Sequence, residues 1–427
     1  MDKLRNLAYR FLRWTEKYTK TDMIYVASGG FWLVAGQVML TLLGFCSAWV
    51  FANYLPAELY GNFRYILSVT AIIGTLSLSG IGTAVSRSVA HDHEGSLPIA
   101  FRASFKWGWV MVVAGAIGAI YYFLQHNAVL AFGMLLAGAA NPFFVSCSLH
   151  DSFLEGKKWF KRKMWLSLIR NVAPVLGVTL IVLLTDNLFL ILGAYFILNA
   201  ATAFAIYRYV VAKYVTNNES DDDVMHYGIH LSAVNLISTI NTNIDRIILF
   251  QFIGATPLAI FSFAQAPLNY VQVGFQMVKT MLFPKFAERS VREIKRGAGR
   301  KVLLLTVVSV VATAAHILIA PVFFHTFFPA YTESIPITQI LALTTLTIPT
   351  IVFSQAFLAH KKQNQMYILR IIGLASKVLA LVILMPLYGV WGVAWAAVIS
   401  KGLETLTLIY LFIRLPDDEP LQGSAIV

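Results

Sequence analysis

The chain has 427 residues, 58% hydrophobic and 13% charged, with 33 Lys and Arg against 21 Asp and Glu. This composition, with a mean hydropathy of +0.69, excludes an ordinary soluble globular domain and a disordered chain. A formal charge of +12 would suit nucleic acid in a soluble protein. Here the basic residues crowd short loops between apolar runs, so they point to membrane orientation and anionic lipid, with no nucleic-acid partner.

Residues 1–25 form the first element. Leu4, Leu7, Ala8 and Phe11 recur at helical spacing opposite Arg10, Arg13 and Lys17, the pattern of an interfacial amphipathic helix. Twelve apolar runs follow, at about 28–53, 62–85, 106–124, 128–150, 164–185, 188–212, 228–253, 258–282, 302–324, 334–358, 365–386 and 388–412. Each approaches the ~20 residues that a helix needs to cross a bilayer core. The first is too long for the apolar region of a signal peptide and reads as a span.

The loops between these runs alternate. Those around Pro56, Gln125, Asp186, Gly254, Ala330 and Leu387 hold no Lys or Arg, and the other set holds nearly all of them. Basic loops stay cytoplasmic, so an even count of spans places both termini there. All but two of the 33 basic residues obey the alternation; the exceptions are Arg64 and Arg246.

The acidic loop Asn217–Asp223 divides the chain. The expected organisation is a cytoplasmic interfacial segment (1–25), an N-terminal six-helix half (26–214), a linker (215–227), a C-terminal six-helix half (228–412) and a cytoplasmic tail (413–427). Three short similarities cross the divide at nearly constant separation. Leu55–Phe63 aligns with Ile253–Phe261, Arg87-Ser-Val89 with Arg289-Ser-Val291, and Phe153-Leu-x-x-Lys-Lys158 with Phe357-Leu-x-x-Lys-Lys362. Three collinear matches argue for a duplicated unit, and because both units start on the same side the repeat is parallel.

Polar residues are costly in hydrocarbon and normally face a bundle interior or a wet cavity. Span 8 carries Gln265, Asn269, Gln272, Gln276 and Lys279 at steps of four and three, on one helical face. In span 7, Asn235, Ser238, Thr242 and Asp245 lie opposite Ile237, Ile240, Ile244 and Ile248, with Asn241 and Asn243 nearby. Gln37, Thr41 and Gly44 share a face in span 1, as do Arg64, Ser68 and Thr75 in span 2. Such residues also join membrane helices to one another, but this density of long amides points to a water-filled cavity lined by spans 1, 2, 7 and 8.

Asp245 lies ~12 Å below the end of span 7 at ~1.5 Å per residue. Arg246 adjoins it in sequence, yet neighbouring helical residues do not face each other. Arg64 sits where it could snorkel to the surface, and Arg170 and Lys279 lie close enough to the opposite edge to do the same. Lys377 and Arg370 share a face of span 11, and Lys401 and Glu404 lie on span 12. Two ion pairs are open here, Lys377–Glu404 or Lys401–Glu404. Cys46 and Cys147, both inside spans, read as small packing residues, and no metal-ligand spacing or nucleotide-binding motif is present.

Several stretches carry a resemblance: Ala52-Asn-Tyr-Leu-Pro-Ala-Glu-Leu-Tyr-Gly-Asn-Phe63, Leu154-Glu-Gly-Lys-Lys158, Asp245-Arg-Ile-Ile-Leu249, Ala259-Ile-Phe-Ser-Phe-Ala264 and Met281-Leu-Phe-Pro-Lys285. With twelve spans in two parallel halves, the chain resembles the polysaccharide-transporter (O-antigen flippase) branch of the multidrug/oligosaccharidyl-lipid/polysaccharide exporter superfamily. The resemblance implies an all-α V-shaped pair of six-helix bundles in the bacterial inner membrane. It implies a flippase that moves an undecaprenyl-diphosphate-linked oligosaccharide by alternating access, without enzymatic chemistry or a cofactor, coupled to H+, Na+ or the membrane potential. The implied partners are that lipid-linked oligosaccharide, membrane lipids, and the polysaccharide polymerase and chain-length machinery.

Cations would meet the diphosphate and amides the sugars. Arg64, Arg246 and Lys279 can supply the first; Gln37, Asn241, Asn243, Gln265, Asn269, Gln272 and Gln276 the second. Asp245 is the ion-coupling candidate, with Arg170, Arg370, Lys377, Lys401 and Glu404 as secondary positions. A multidrug/cation antiporter of the same superfamily is the alternative. A membrane polysaccharide polymerase or ligase ranks lower, because every Lys/Arg-free loop is short.

Overall fold

The computed structural model describes residues 23–221, 224–287, 291–360 and 363–416. The expected interfacial helix and the C-terminal tail lie outside them. Among the described residues all regular structure is helical. Nine helical segments are long and apolar enough to cross a membrane, which makes this a multi-pass membrane protein. The helices carrying the densest polar stripes, around Arg64, Asp245 and Gln265, are not among the nine, because each stripe lowers its own hydropathy.

The helices follow the expected runs with informative departures. Helix α1 is Met23–Tyr54 and α2 is Ala57–Gly74. The second expected span, 62–85, is not continuous: α2 stops at Gly74, and a separate helix, α3, covers Ile81–Ala90. Between them lies a Ser/Gly-rich segment with Leu78 at φ +50°. Short hydroxyl side chains there compete with the helical backbone; Thr75 donates to the Ile72 carbonyl at 2.7 Å. Next come α4 (Ser96–Trp107), α5 (Trp109–Leu124), α6 (Ala128–Cys147), α7 (Leu149–Gly156), α8 (Phe160–Leu184) and α9 (Leu188–Tyr214). Then follow α10 (Val224–Phe252), α11 (Ala255–Ala287), α12 (Val291–Phe327), α13 (Ser334–Ala342), α14 (Ile351–Ala359), α15 (Gln363–Tyr388) and α16 (Val390–Ile413).

The expected span 334–358 contains a 3-10 segment, Leu343–Thr350, between α13 and α14. Its cause is visible in the sequence. Thr344, Thr347 and Thr350 each donate to the carbonyl three residues back, at 2.7, 2.8 and 2.6 Å. That spacing is one turn of a 3-10 helix, and Pro349 removes a donor within it.

The chain divides into two compact units. One comprises Met1–Ala48 with Leu76–Ser232, the other Trp49–Thr75 with Ala233–Val427. The segment Trp49–Thr75, counted with the N-terminal half in the sequence, thus clusters with the C-terminal helices. The first unit is built on Val85, Leu97, Phe153, Leu154, Tyr207 and Val210, all buried. Part of the second is built on Phe286, Ile294, Phe357 and Phe412. Phe153 and Phe357, paired by the internal similarity, are both fully buried, each in the core of its own unit. Cys147 packs inside the first core, whereas Cys46 is exposed on α1 and does not pack as expected. Exposed Val307, Val311, Leu318 and Val322 give α12 an apolar outer stripe suited to hydrocarbon.

Candidate functional site

The second unit brings together the two basic residues that break the alternation. It does so through a tight helix approach. A side chain at Gly61 on α2 would collide with the Ala255 carbonyl at the start of α11, so a glycine there lets the two backbones touch. Tyr60 stacks on Phe263 with ring centroids 4.5 Å apart, and Phe263 meets Tyr331 at 4.1 Å. Between α10 and α11 the chain turns at Gly254, φ +114°. Tyr65 stacks on Phe250 at 3.9 Å, and its hydroxyl accepts from Gln251 Nε2 at 2.7 Å. The matched segments Leu55–Phe63 and Ile253–Phe261 therefore pack on one another.

At ~1.5 Å per residue, Arg64, Arg246 and Gln265 all lie ~10–15 Å from this Lys/Arg-free end, inside the span of a bilayer core. The Arg246 guanidinium donates to Gln265 Oε1 through Nε at 3.0 Å and Nη2 at 2.7 Å, and through Nη1 to Asn243 Oδ1 at 3.3 Å. Asp245 is 2% exposed. Its carboxylate accepts from Gln265 Nε2 at 3.4 Å and from the Arg246 backbone N–H at 3.0 Å. As helical geometry requires, the neighbouring arginine side chain points elsewhere.

The ion partner of Asp245 is Lys377, Nζ to Oδ2 at 3.2 Å; Lys377 also donates to the Asn241 carbonyl at 2.6 Å. Of the two ion pairs left open by the sequence, the structure forms Lys401–Glu404, at 2.7 Å, and not Lys377–Glu404. Lys401–Glu404 is a local contact, three residues apart on α16, and balances itself.

Arg64 has a buried Nε with no hydrogen-bond partner, and the Asn241 Oδ1 is likewise buried and unpartnered. The Arg64 charge acts on Arg246 by direct repulsion. Among the described residues, Lys377 is paired with Asp245, whereas neither Arg64 nor Arg246 has an ion-pair partner, and the Glu404 carboxylate that approaches Asn241 beside Gly373 is taken by Lys401. Isolated charge in a low-dielectric interior is costly unless it is balanced.

Farther along the α11 face, Asn269 and Gln272 are exposed, as are Asn235 and Thr242 on α10. Amides are costly against hydrocarbon at that depth. The side chains of Gln276 and Lys279 lie outside the described residues. Gln37 belongs to the first unit, exposed on α1, where its carbonyl accepts from Thr41 at 2.8 Å. Arg370 is half-buried on α15 and is not drawn into the group.

Arg170 is a correction. It does not snorkel but donates to Asp151 Oδ2 at 2.8 Å, within the first unit, while Ser167 donates to Asp151 Oδ1 at 3.0 Å. Asp151, four residues past Cys147 on the short α7, carries no signal in the sequence beyond its charge.

A second polar group escaped sequence reasoning altogether. Glu94, 5% exposed, sits between α3 and α4. Lys157 meets its carboxylate at 2.7 Å. The Thr216 backbone N–H and hydroxyl both donate to Glu94 Oε2, the hydroxyl at 2.8 Å, and the Asn217 N–H donates at 3.3 Å. Burial opposes ionisation, but the hydrogen bonds from Lys157, Thr216 and Asn217 outweigh it and push the carboxyl down to about 2. Asn217 answers by accepting from the Glu94 N–H at 3.1 Å. This group ties residues 216–217 to the loop before α4.

The chain matches the model of the family described as polysaccharide biosynthesis protein over residues 26–290, more than half its length. No curated protein matches. Among solved structures it is similar to the lipid II flippase MurJ in an inward closed conformation, at TM-score 0.69 and 16% identity, covering 90% of this chain and 87% of that one. It is also similar to the MATE multidrug transporter DinF-BH, at TM-score 0.69 and 15% identity, covering 93% and 97%. An outward-facing multidrug resistance MATE family transporter of the MOP superfamily gives TM-score 0.65 and 14% identity, covering 91% and 94%. These relatives are transporters and a flippase, not enzymes. The all-helical architecture, the membrane-spanning segments and the family match agree: this chain belongs to the polysaccharide biosynthesis protein family and has the fold of the MOP-superfamily transporters.

Proposed function

We propose that the protein is a flippase that carries an undecaprenyl-diphosphate-linked oligosaccharide from the inner to the outer leaflet of a bacterial inner membrane by alternating access. The observation that carries this reading is the charge imbalance at membrane depth. Lys377 is paired with Asp245, Arg64 and Arg246 have no ion-pair partner among the described residues, and a diphosphate supplies the missing negative charge. Guanidinium groups suit phosphate oxygens because their donors form a planar fork. The exposed amides of Asn269 and Gln272, with Gln276 and Lys279 beyond them, continue along the same helix, where sugar hydroxyls find donors and acceptors.

The basic loops face the cytoplasm in this reading, as does each terminus. Arg64 and Arg246 then lie toward the outer leaflet, where the substrate headgroup must arrive. Asp245 already holds the Lys377 ammonium, so any role for it in H+ or Na+ coupling would run through opening that ion pair. A cationic drug is the less fitting cargo, since it would meet excess positive charge. The polymerase and chain-length machinery are expected partners in the same membrane.

The test is a deletion strain. The lipid-linked repeat should accumulate on the cytoplasmic leaflet, and normal outward delivery in that strain would sink the proposal. Efflux of cationic dyes without any effect on lipid-linked sugars would favour the antiporter instead.

A further inference from the structure

The basic end of the first unit carries a pair of cations without a carboxylate partner among the described residues. Arg162, near the start of α8, lies over the ring of Trp159 at 4.4 Å and over that of Tyr214 at 5.0 Å. Lys213, at the end of α9, lies 5.7 Å from the same Tyr214 ring and 5.2 Å from that of Tyr209. The two cations therefore flank one aromatic ring. Lys213 Nζ donates to the Tyr209 hydroxyl at 3.0 Å, and the Tyr209 and Tyr214 hydroxyls are 3.4 Å apart. Among the described residues neither Arg162 nor Lys213 has an ion-pair partner, in contrast to Lys157 and Lys163 nearby, which do.

The position is as informative as the chemistry. Trp165 and Ile169, one and two turns farther along α8, are 51% and 55% exposed. Apolar surface for acyl chains thus begins directly beside the cationic group, and the aromatic rings occupy the boundary where amphipathic rings belong.

We propose that Arg162, Lys213, Tyr209 and Tyr214 form a binding site for the headgroup of an anionic phospholipid of the leaflet facing the basic loops. The phosphate would be held between guanidinium and ammonium, with a tyrosine hydroxyl as a further donor, and the acyl chains would run along Trp165 and Ile169. This site is separate from the Arg64–Arg246 group and does not depend on the transport reading.

Native mass spectrometry of the purified full chain tests it, with dioleoylphosphatidylglycerol, dioleoylphosphatidylcholine, inorganic phosphate and undecaprenyl diphosphate as probes. Wild type should retain phosphatidylglycerol in preference to phosphatidylcholine. Arg162→Gln/Lys213→Gln should lower that retention about tenfold with an unchanged melting temperature. Should that pair fail to fold, Tyr209→Phe and Lys213→Gln alone should each lower it severalfold. Equal retention of the two phospholipids by wild type, or undiminished phosphatidylglycerol binding in the variants, would overturn the site. Displacement by inorganic phosphate alone would do so by showing a simple anion site. Preferential displacement by undecaprenyl diphosphate would do so by assigning the patch to the lipid-linked substrate.

Discussion

Two buried polar groups, one in each compact unit, handle charge in opposite ways. Around Glu94 the carboxylate receives Lys157, two donors from Thr216 and one from Asn217, and Asn217 returns a bond to the Glu94 backbone. Around Asp245, the carboxylate is taken by Lys377, Arg64 and Arg246 have no ion-pair partner among the described residues, and buried polar atoms of Arg64 and Asn241 lack partners. A saturated network holds structure, because each member meets its desolvation cost locally. An unsaturated one with surplus charge is costly unless something binds it. The contrast separates a fastening from a receptor.

The largest expected effects break the receptor. Arg246→Ala should reduce outward delivery of the lipid-linked glycan at least about thirtyfold, corresponding to loss of ~2–5 kcal/mol for a desolvated charge contact, with membrane abundance unchanged. Arg246→Lys should fail to restore it, since an ammonium cannot reproduce the fork that spans Gln265 and Asn243. Loss of the protein from the membrane would instead assign Arg246 to folding.

Next comes the one balanced pair inside that group. Lys377→Met strands the Asp245 carboxylate and should destabilise the protein by ~3–5 kcal/mol. Adding Asp245→Asn should recover much of this, which a thermal-melting double-mutant cycle in detergent would measure. A purely additive cycle would mean that the two side chains do not act as a pair.

The fastening should respond differently. Glu94→Gln should cost ~1–3 kcal/mol of stability at neutral pH by removing a charged acceptor from its donors. The folded pKa of Glu94, about 2, lies below its usual 4.5, so its contribution is full above about 4.5 and fades as pH falls toward 2. The gap in melting temperature between wild type and variant should close over that window. A gap that persists at low pH would show that packing, not the carboxylate, is responsible.

Much of this was legible in the sequence. Hydropathy located the helical runs, and the Lys/Arg alternation singled out Arg64 and Arg246, which the fold gathers into one unit. The internal similarity paired Phe153 with Phe357, and each is buried in the core of its own unit. What stayed hidden depends on contacts distant in sequence. Nothing near Asp245 names Lys377, 132 positions along, and Glu404 looked the nearer carboxylate because α15 and α16 are adjacent in the chain. Glu94 and Thr216 lie 122 residues apart, in loops whose composition reads as ordinary solvated polar surface. The 3-10 turn at Leu343–Thr350 was readable in principle, since threonines at a spacing of three precede and follow Pro349, but apolar runs mask such detail.

The central claim is that the Arg64–Arg246 group holds a diphosphate. Its most direct test is binding of undecaprenyl diphosphate to the purified full chain in detergent, compared among wild type, Arg64→Ala and Arg246→Ala under conditions where all three remain folded. The account predicts saturable binding by wild type, weakened at least about tenfold in each variant. Equal affinity for all three proteins would contradict it.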